Sequence, residues 1–173
     1  MDTTQKLHPG QMFQPEIFKR VDGADYTFGT PGKWQALFVF RGQHCPICMG
    51  YLTKIEERRE AFATLGIAIA AVSADTETQT RKTIAASRPS FPMLYGMDVP
   101  TMQRLGLYIS EPRSTQEADH RFPEPGLLCV NDAGVLQIIE VTNGAFLRPD
   151  LDRLLMGLGF MIEKNYPARG AYR

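Results

Sequence analysis

The residues best suited to chemistry in this 173-residue chain lie in FVFRGQHCPICMGYL, positions 38–52, where Cys45 and Cys48 stand one helical turn apart. A C-x-x-C pair can cycle between dithiol and disulfide, supply half of a zinc site, or simply fill space with two small thiols. Apolar residues precede the pair and an amphipathic pattern follows it. Pro46 suits the first turn of a helix, where its missing N–H would be unpaired anyway. Cys45 is therefore expected at the N-cap, where the helix dipole and free N–H groups favour an anion. Thiolate is the nucleophilic form of cysteine. Cys48, deeper and within reach, is suited to resolve a mixed disulfide or a sulfenic acid. Arg41 and His44 lie close enough in sequence to add positive charge beside Cys45. Their ordinary roles would be a strand-end ion pair and an exposed loop residue.

The metal reading needs two further ligands. Beyond acidic side chains only Cys129, His8, His44 and His120 remain, and none forms a second closely spaced pair. Cys129 falls in an apolar run, where a small buried thiol is the ordinary occupant. We therefore expect no metal and no organic cofactor. Pro125 is the second informative position, because EPGLLCVND passes from a polar loop straight into an apolar strand. A cis Glu124–Pro125 bond there would present the backbone to a bound thiol or extended peptide; the plain alternative is a turn proline before a strand.

The elements that must position these residues follow from periodicity. IFKRVDGADYTFG reads as a hairpin around Asp22-Gly23, after a polar segment 1–15 expected on the surface. ALFVF (36–40) and IAIAAVS (67–73) read as strands covered on both faces. Between them, Met49, Leu52, Ile55, Phe62 and Leu65 form one amphipathic helix with EERRE on its charged side, which Gly66 closes. A helix-length crossover implies parallel pairing. A helix over 77–86, a short strand at 91–96 and a short helix between 100 and 105 come next. Residues 110–124 lack an apolar period and read as a long polar loop, functional or mobile. LLCVN (127–131) and VLQIIEV (135–141) flank Asp132-Ala133-Gly134 as an antiparallel hairpin. A last helix opens at Pro149, and YPARGAYR is left as a tail. This order gives an α/β chain with a thioredoxin-like fold: a central mixed sheet flanked by helices, forming a single domain over 1–173.

Composition narrows the partners. With 19 basic and 19 acidic residues the formal charge is zero, so no global field draws nucleic acid or an anionic membrane. MDTTQKLHPGQMF lacks the basic start and apolar run of a secretory signal, and no stretch approaches the ~20 apolar residues of a membrane span. Three cysteines are too few for a disulfide framework. A cytoplasmic protein is expected.

F-R-G-x-x-C-P-x-C (Phe40 to Cys48), V-S-A-D (Val72 to Asp75), F-P-M-L (Phe91 to Leu94) and P-G-L-L-C-V-N-D-A-G (Pro125 to Gly134) occur in this order. Together they resemble the peroxiredoxin-like branch of the alkyl hydroperoxide reductase and thiol-specific antioxidant family, within the thioredoxin superfamily, from about Leu7 to Ile162. The resemblance implies antioxidant activity, with Cys45 as the attacking cysteine, Cys48 as the resolving one and Pro125 as the cis-proline beside the site. It also implies a peroxide or disulfide substrate, and a thiol electron donor such as a thioredoxin or glutathione system. Homodimers are common in such folds, and the chain reveals no interface. Where typical members carry Thr, Pro and Arg to orient and polarise a peroxide, this chain has Gly42, Phe38 and Pro125. These departures point toward dithiol chemistry, with Arg41 or Arg121 as candidate substitutes for the missing guanidinium. The alternative is a non-enzymatic redox sensor or binding module, whose disulfide state changes the 110–124 loop.

Overall fold

The structure, a computed structural model, describes residues 7–172; the sequence reading of residues 1–6 and of Arg173 lies outside the described residues. Among the described residues nine strands and five helices follow in the order β1 (Glu16–Arg20), β2 (Asp25–Phe28), β3 (Trp34–Val39), α1 (Pro46–Glu57), α2 (Arg59–Thr64), β4 (Ile67–Val72), α3 (Glu77–Ser87), β5 (Met93–Tyr95), α4 (Val99–Arg104), β6 (Ile109–Ser110), β7 (Phe122–Pro123), β8 (Gly126–Val130), β9 (Leu136–Val141) and α5 (Leu151–Glu163). Seven strands form one mixed sheet in the order β2-β1-β5-β4-β3-β8-β9. Strand β3 runs parallel to β4 and antiparallel to β8, so it lies inside the sheet with both edges paired. This accounts for its continuous apolar run: alternate residues face opposite sides, and both sides are covered. Ala36 and Phe38 pack with Leu52, Ile55 and Phe62 of α1 and α2 and with Leu151 and Leu158 of α5. Leu37 and Val39 pack on the other side with Phe13, Met102, Leu105 and Leu107.

Four sequence expectations change. The helix read through 49–65 is two helices: Arg58 leaves helical geometry at φ −105°, ψ 4°. The break falls among the six residues between Ile55 and Phe62, none of which is buried in the core. The segment before Pro15 does not merely lie on the surface, because Phe13 is buried and Gly10 donates to the Leu136 carbonyl. Its apolar side chain closes the lower face of the sheet. The stretch 110–124 is tied down rather than loose: β6 and β7 pair antiparallel and bring its two ends together. The terminal tail packs back, with the Tyr166 carbonyl accepting from the Gln137 side chain.

The turn from β3 into α1 is held from the side. The carboxylate of Asp75, buried three residues past the end of β4, accepts from the Gln43 backbone N–H at 2.8 Å. Gly42, at φ +135°, makes this close approach feasible, since a Cβ there would lie 2.5 Å from Asp75 Oδ1. Gly42→Ala is therefore expected to destabilise the fold by about 1–3 kcal/mol, read from the denaturant midpoint. An unchanged midpoint would show that the turn relaxes without cost.

Candidate active site

Cys45 caps α1 with an extended backbone, and its Sγ accepts from the Cys48 N–H at 3.3 Å, while Pro46 occupies the first helical turn. The helix therefore starts where the spacing predicts. Cys45 and Cys48 are joined as a disulfide, with Cα atoms 5.2 Å apart, inside the normal range for such bridges. Cys48 is fully buried, whereas Cys45, although largely covered, lines an open cleft of about 510 Å³ with Arg41, His44, Pro46, Ile47 and residues of the 110–124 segment. Cys129 lies in β8, between β3 and β9, and burial pushes the pKa of its thiol up to about 12. It takes no part in the cleft. Among the described residues no three His, Cys, Asp or Glu side chains gather as metal ligands.

Arg41 and His44 reach the cleft, yet neither offers a free positive charge to Cys45. The Arg41 guanidinium lies 3.2 Å from Glu124 Oε2 and 3.7 Å from Glu117 Oε1, and stacks 4.8 Å from the Phe122 ring centroid. Glu124 also accepts from the Ser110 hydroxyl at 2.6 Å. Arg113, hydrogen-bonded to Glu117, is the main cause holding that carboxyl down to about 2. Arg41 thus fastens the turn before α1 to the 110–124 segment. His44 packs on Phe122 with ring centroids 4.5 Å apart. Burial first, and then Arg41, lower its pKa, so the neutral imidazole is favoured. This corrects the expectation of an activating imidazolium: a ring desolvated against an aromatic and facing a guanidinium resists a proton.

Pro125 is not the cis-proline that the resemblance implied. The described residues contain no cis peptide bond, and Pro125 lines a neighbouring cavity with Phe38, Tyr51, Leu147 and Arg148 rather than the Cys45 cleft. The backbone around it is already committed, because the Glu124 N–H donates to the Tyr108 carbonyl and the Pro125 carbonyl accepts from Thr142. The segment runs extended from β7 into β8, a path that a trans bond serves. Arg121 pairs with the exposed Glu111 and lines a separate cavity.

Sequence reasoning missed Arg148. Its Nη2 lies 2.9 Å from Cys48 Sγ, Nε donates to the Ala145 carbonyl at 3.0 Å, and the guanidinium sits 5.1 Å from the Tyr51 ring centroid. It is 100 residues from Cys48 and sits in an irregular segment, so no periodicity marks it. His120 completes the surroundings: Nδ1 meets Asp119 at 2.6 Å, and Nε2 lies 3.7 Å from the buried Asp75.

A family model described as the AhpC/TSA family matches residues 9–139. Among solved structures, a peroxiredoxin-like protein from Aquifex aeolicus superposes with a TM-score of 0.75 at 13% identity, covering 90% of this chain and 88% of its own. A 2-Cys peroxiredoxin of Plasmodium vivax gives 0.74 at 11% identity, over 93% and 86%. AhpC of Mycobacterium bovis gives 0.70 at 19% identity, over 96% and 98%. These likenesses establish the thioredoxin-like fold of peroxiredoxins. No curated protein sequence matches the chain.

Two measurements check this geometry. The proton NMR titration of His44 should have its midpoint below the ordinary 6.5. Because the unfolded chain then binds the proton more readily, this residue's contribution to stability is intact above 6.5 and lost as pH falls from 6.5 through the folded midpoint. A midpoint at or above 6.5 would contradict the desolvated ring. In reduced native protein, alkylation should leave Cys129 unlabelled until denaturant is added; labelling of Cys129 at the rate of a free thiol would contradict its burial.

Proposed function

The chain belongs to the AhpC/TSA family and is a thiol-dependent oxidoreductase, and from that premise we propose that Cys45 is its attacking sulfur and Cys48 its resolving one. The observation that carries this reading is the pair itself: a sulfur at a helix N-cap facing an open cleft, bridged to a buried neighbour one turn away. In the oxidative half, the Cys45 thiolate attacks a hydroperoxide oxygen, the O–O bond breaks, an alcohol or water leaves, and Cys45 becomes a sulfenic acid. The Cys48 thiolate then attacks that sulfur, hydroxide departs as water, and the disulfide forms. A thiol donor, of thioredoxin or glutathione type, restores the dithiol.

A disulfide substrate is the second reading, favoured by Arg41. Both carboxylates on its guanidinium reduce what it can offer to a peroxide O–O bond in the Cys45 cleft. In that case Cys45 forms a mixed disulfide with the substrate and Cys48 releases it. We read residues 1–173 as one domain that works in the cytoplasm, where a close cysteine pair in a chain of three suits redox work. No helix among the described residues is long and apolar enough to cross a membrane. A homodimer is consistent with the fold, and Arg41 and Pro125 serve as structural supports of the site.

Purified protein given a thiol reductant should consume a hydroperoxide or a protein disulfide over many turnovers. Cys45→Ser should abolish consumption. With the reductant left out, Cys48→Ser should consume one equivalent of substrate and stop as sulfenic acid or mixed disulfide. A stoichiometric thiol change without turnover would instead favour a redox sensor, and full turnover by Cys45→Ser would overturn the assignment.

A further inference from the structure

Among the described residues Arg148 is the one guanidinium hydrogen-bonded to a sulfur of the pair, and the sulfur it touches is Cys48, not Cys45. Its position is fixed on several sides. Nε is held by the Ala145 carbonyl, and the guanidinium plane faces Tyr51 of α1. The Tyr51 hydroxyl in turn donates to the Pro149 carbonyl at 2.7 Å, so the residue after Arg148 is tied to the same helix. Unlike Arg41, Arg148 has no carboxylate ion pair among the described residues. Burial lowers its pKa, yet a guanidinium remains charged in proteins. A half-buried cation with no carboxylate partner, aimed at a sulfur, is placed to meet negative charge that develops there.

We propose that Arg148 receives the Cys48 thiolate released when the disulfide opens, and so directs the electron donor to Cys45. The donor thiolate enters the open cleft and attacks Cys45 Sγ. A donor–Cys45 mixed disulfide forms, the Cys45–Cys48 bond breaks, and its electron pair leaves on Cys48 Sγ, against the Arg148 Nη2–H. A second donor thiolate then attacks the donor sulfur of the mixed disulfide, releasing the Cys45 thiolate. Two electrons have passed from the donor, which ends as a disulfide, to the protein, which ends as a dithiol. Attack at Cys48 is blocked because its sulfur is buried beneath Arg148. Exchange is faster when the leaving thiol has a lower pKa, and an adjacent opposite charge lowers that pKa by about 1–3. The same contact raises the thiolate fraction of Cys48 when it resolves Cys45. Arg148 is therefore a catalytic residue for both halves of the cycle.

This inference rests on the pair cycling through its disulfide, but not on which oxidant forms the bond. It is tested on the full chain without any peroxide. In the Cys45→Ser background, the pH dependence of the Cys48 thiolate absorbance should have its midpoint raised by about 1–3 pH units in Arg148→Gln, with Arg148→Lys in between. In protein with both cysteines, opening of the disulfide by excess glutathione should slow roughly tenfold in Arg148→Gln, with partial recovery in Arg148→Lys. Mass spectrometry should place the glutathione adduct on Cys45. Equal midpoints in all three proteins, or an adduct on Cys48, would overturn the role of Arg148 even if substrate turnover is normal. Shifted midpoints with the adduct on Cys45 would support it even in a protein that turns over no peroxide.

Discussion

Everything at this site depends on how β3 is handed over to α1. The strand must end, the chain must turn, and Cys45 must land at the N-cap with its sulfur facing both the helix N–H groups and Cys48. Asp75 enforces the turn by taking the Gln43 N–H into a buried carboxylate, and Gly42 leaves the space for it. Burial raises the pKa of Asp75, while the Gln43 hydrogen bond opposes that rise. A buried acid is thus retained in a place where its hydrogen bond to the backbone holds the turn that carries Cys45. The V-S-A-D stretch and the C-P-x-C stretch are two halves of one device, joined through the parallel pairing of β3 and β4.

The two arginines near the pair have separate tasks. Arg41 is shared between Glu117 and Glu124 and stacked on Phe122, so its charge is spent on holding the 110–124 segment over the cleft. Arg148 has its charge available and directs it at the buried sulfur. Positive charge at the site therefore comes from two directions: the helix terminus acts on Cys45, and a guanidinium acts on Cys48. Each sulfur of the bridge has a group able to stabilise it as an anion, which suits a pair that must both form and break its bond. Access, rather than charge alone, distinguishes the attacked sulfur from the leaving one.

Much of this was legible in the sequence because it is local. A proline after Cys45, an apolar run before it and a 3.6-residue stripe after it suffice to place the N-cap, and the strand–helix–strand order implies the parallel pairing that β3 and β4 show. What was not legible depends on side chains that meet across long sequence separations. Arg148 reaches Cys48 from a segment without periodicity, so nothing in its neighbours marks it. Arg41 and His44 are close to Cys45 in sequence, but their charge is decided by Glu117, Glu124 and Phe122, which arrive from the far side of a long polar stretch. The Glu124–Pro125 bond was misjudged for the same reason: Tyr108 and Thr142 take the flanking backbone groups, and neither can be paired with that proline from sequence.

The most direct test is the intact mass of fully reduced protein after one equivalent of hydrogen peroxide, followed by peptide mapping and then by dithiothreitol. The account predicts loss of two hydrogens, confined to the peptide carrying Cys45 and Cys48 and fully reversed by the reductant. Retention of both thiols, or stable gain of oxygen on Cys45 while Cys48 stays free, would contradict it.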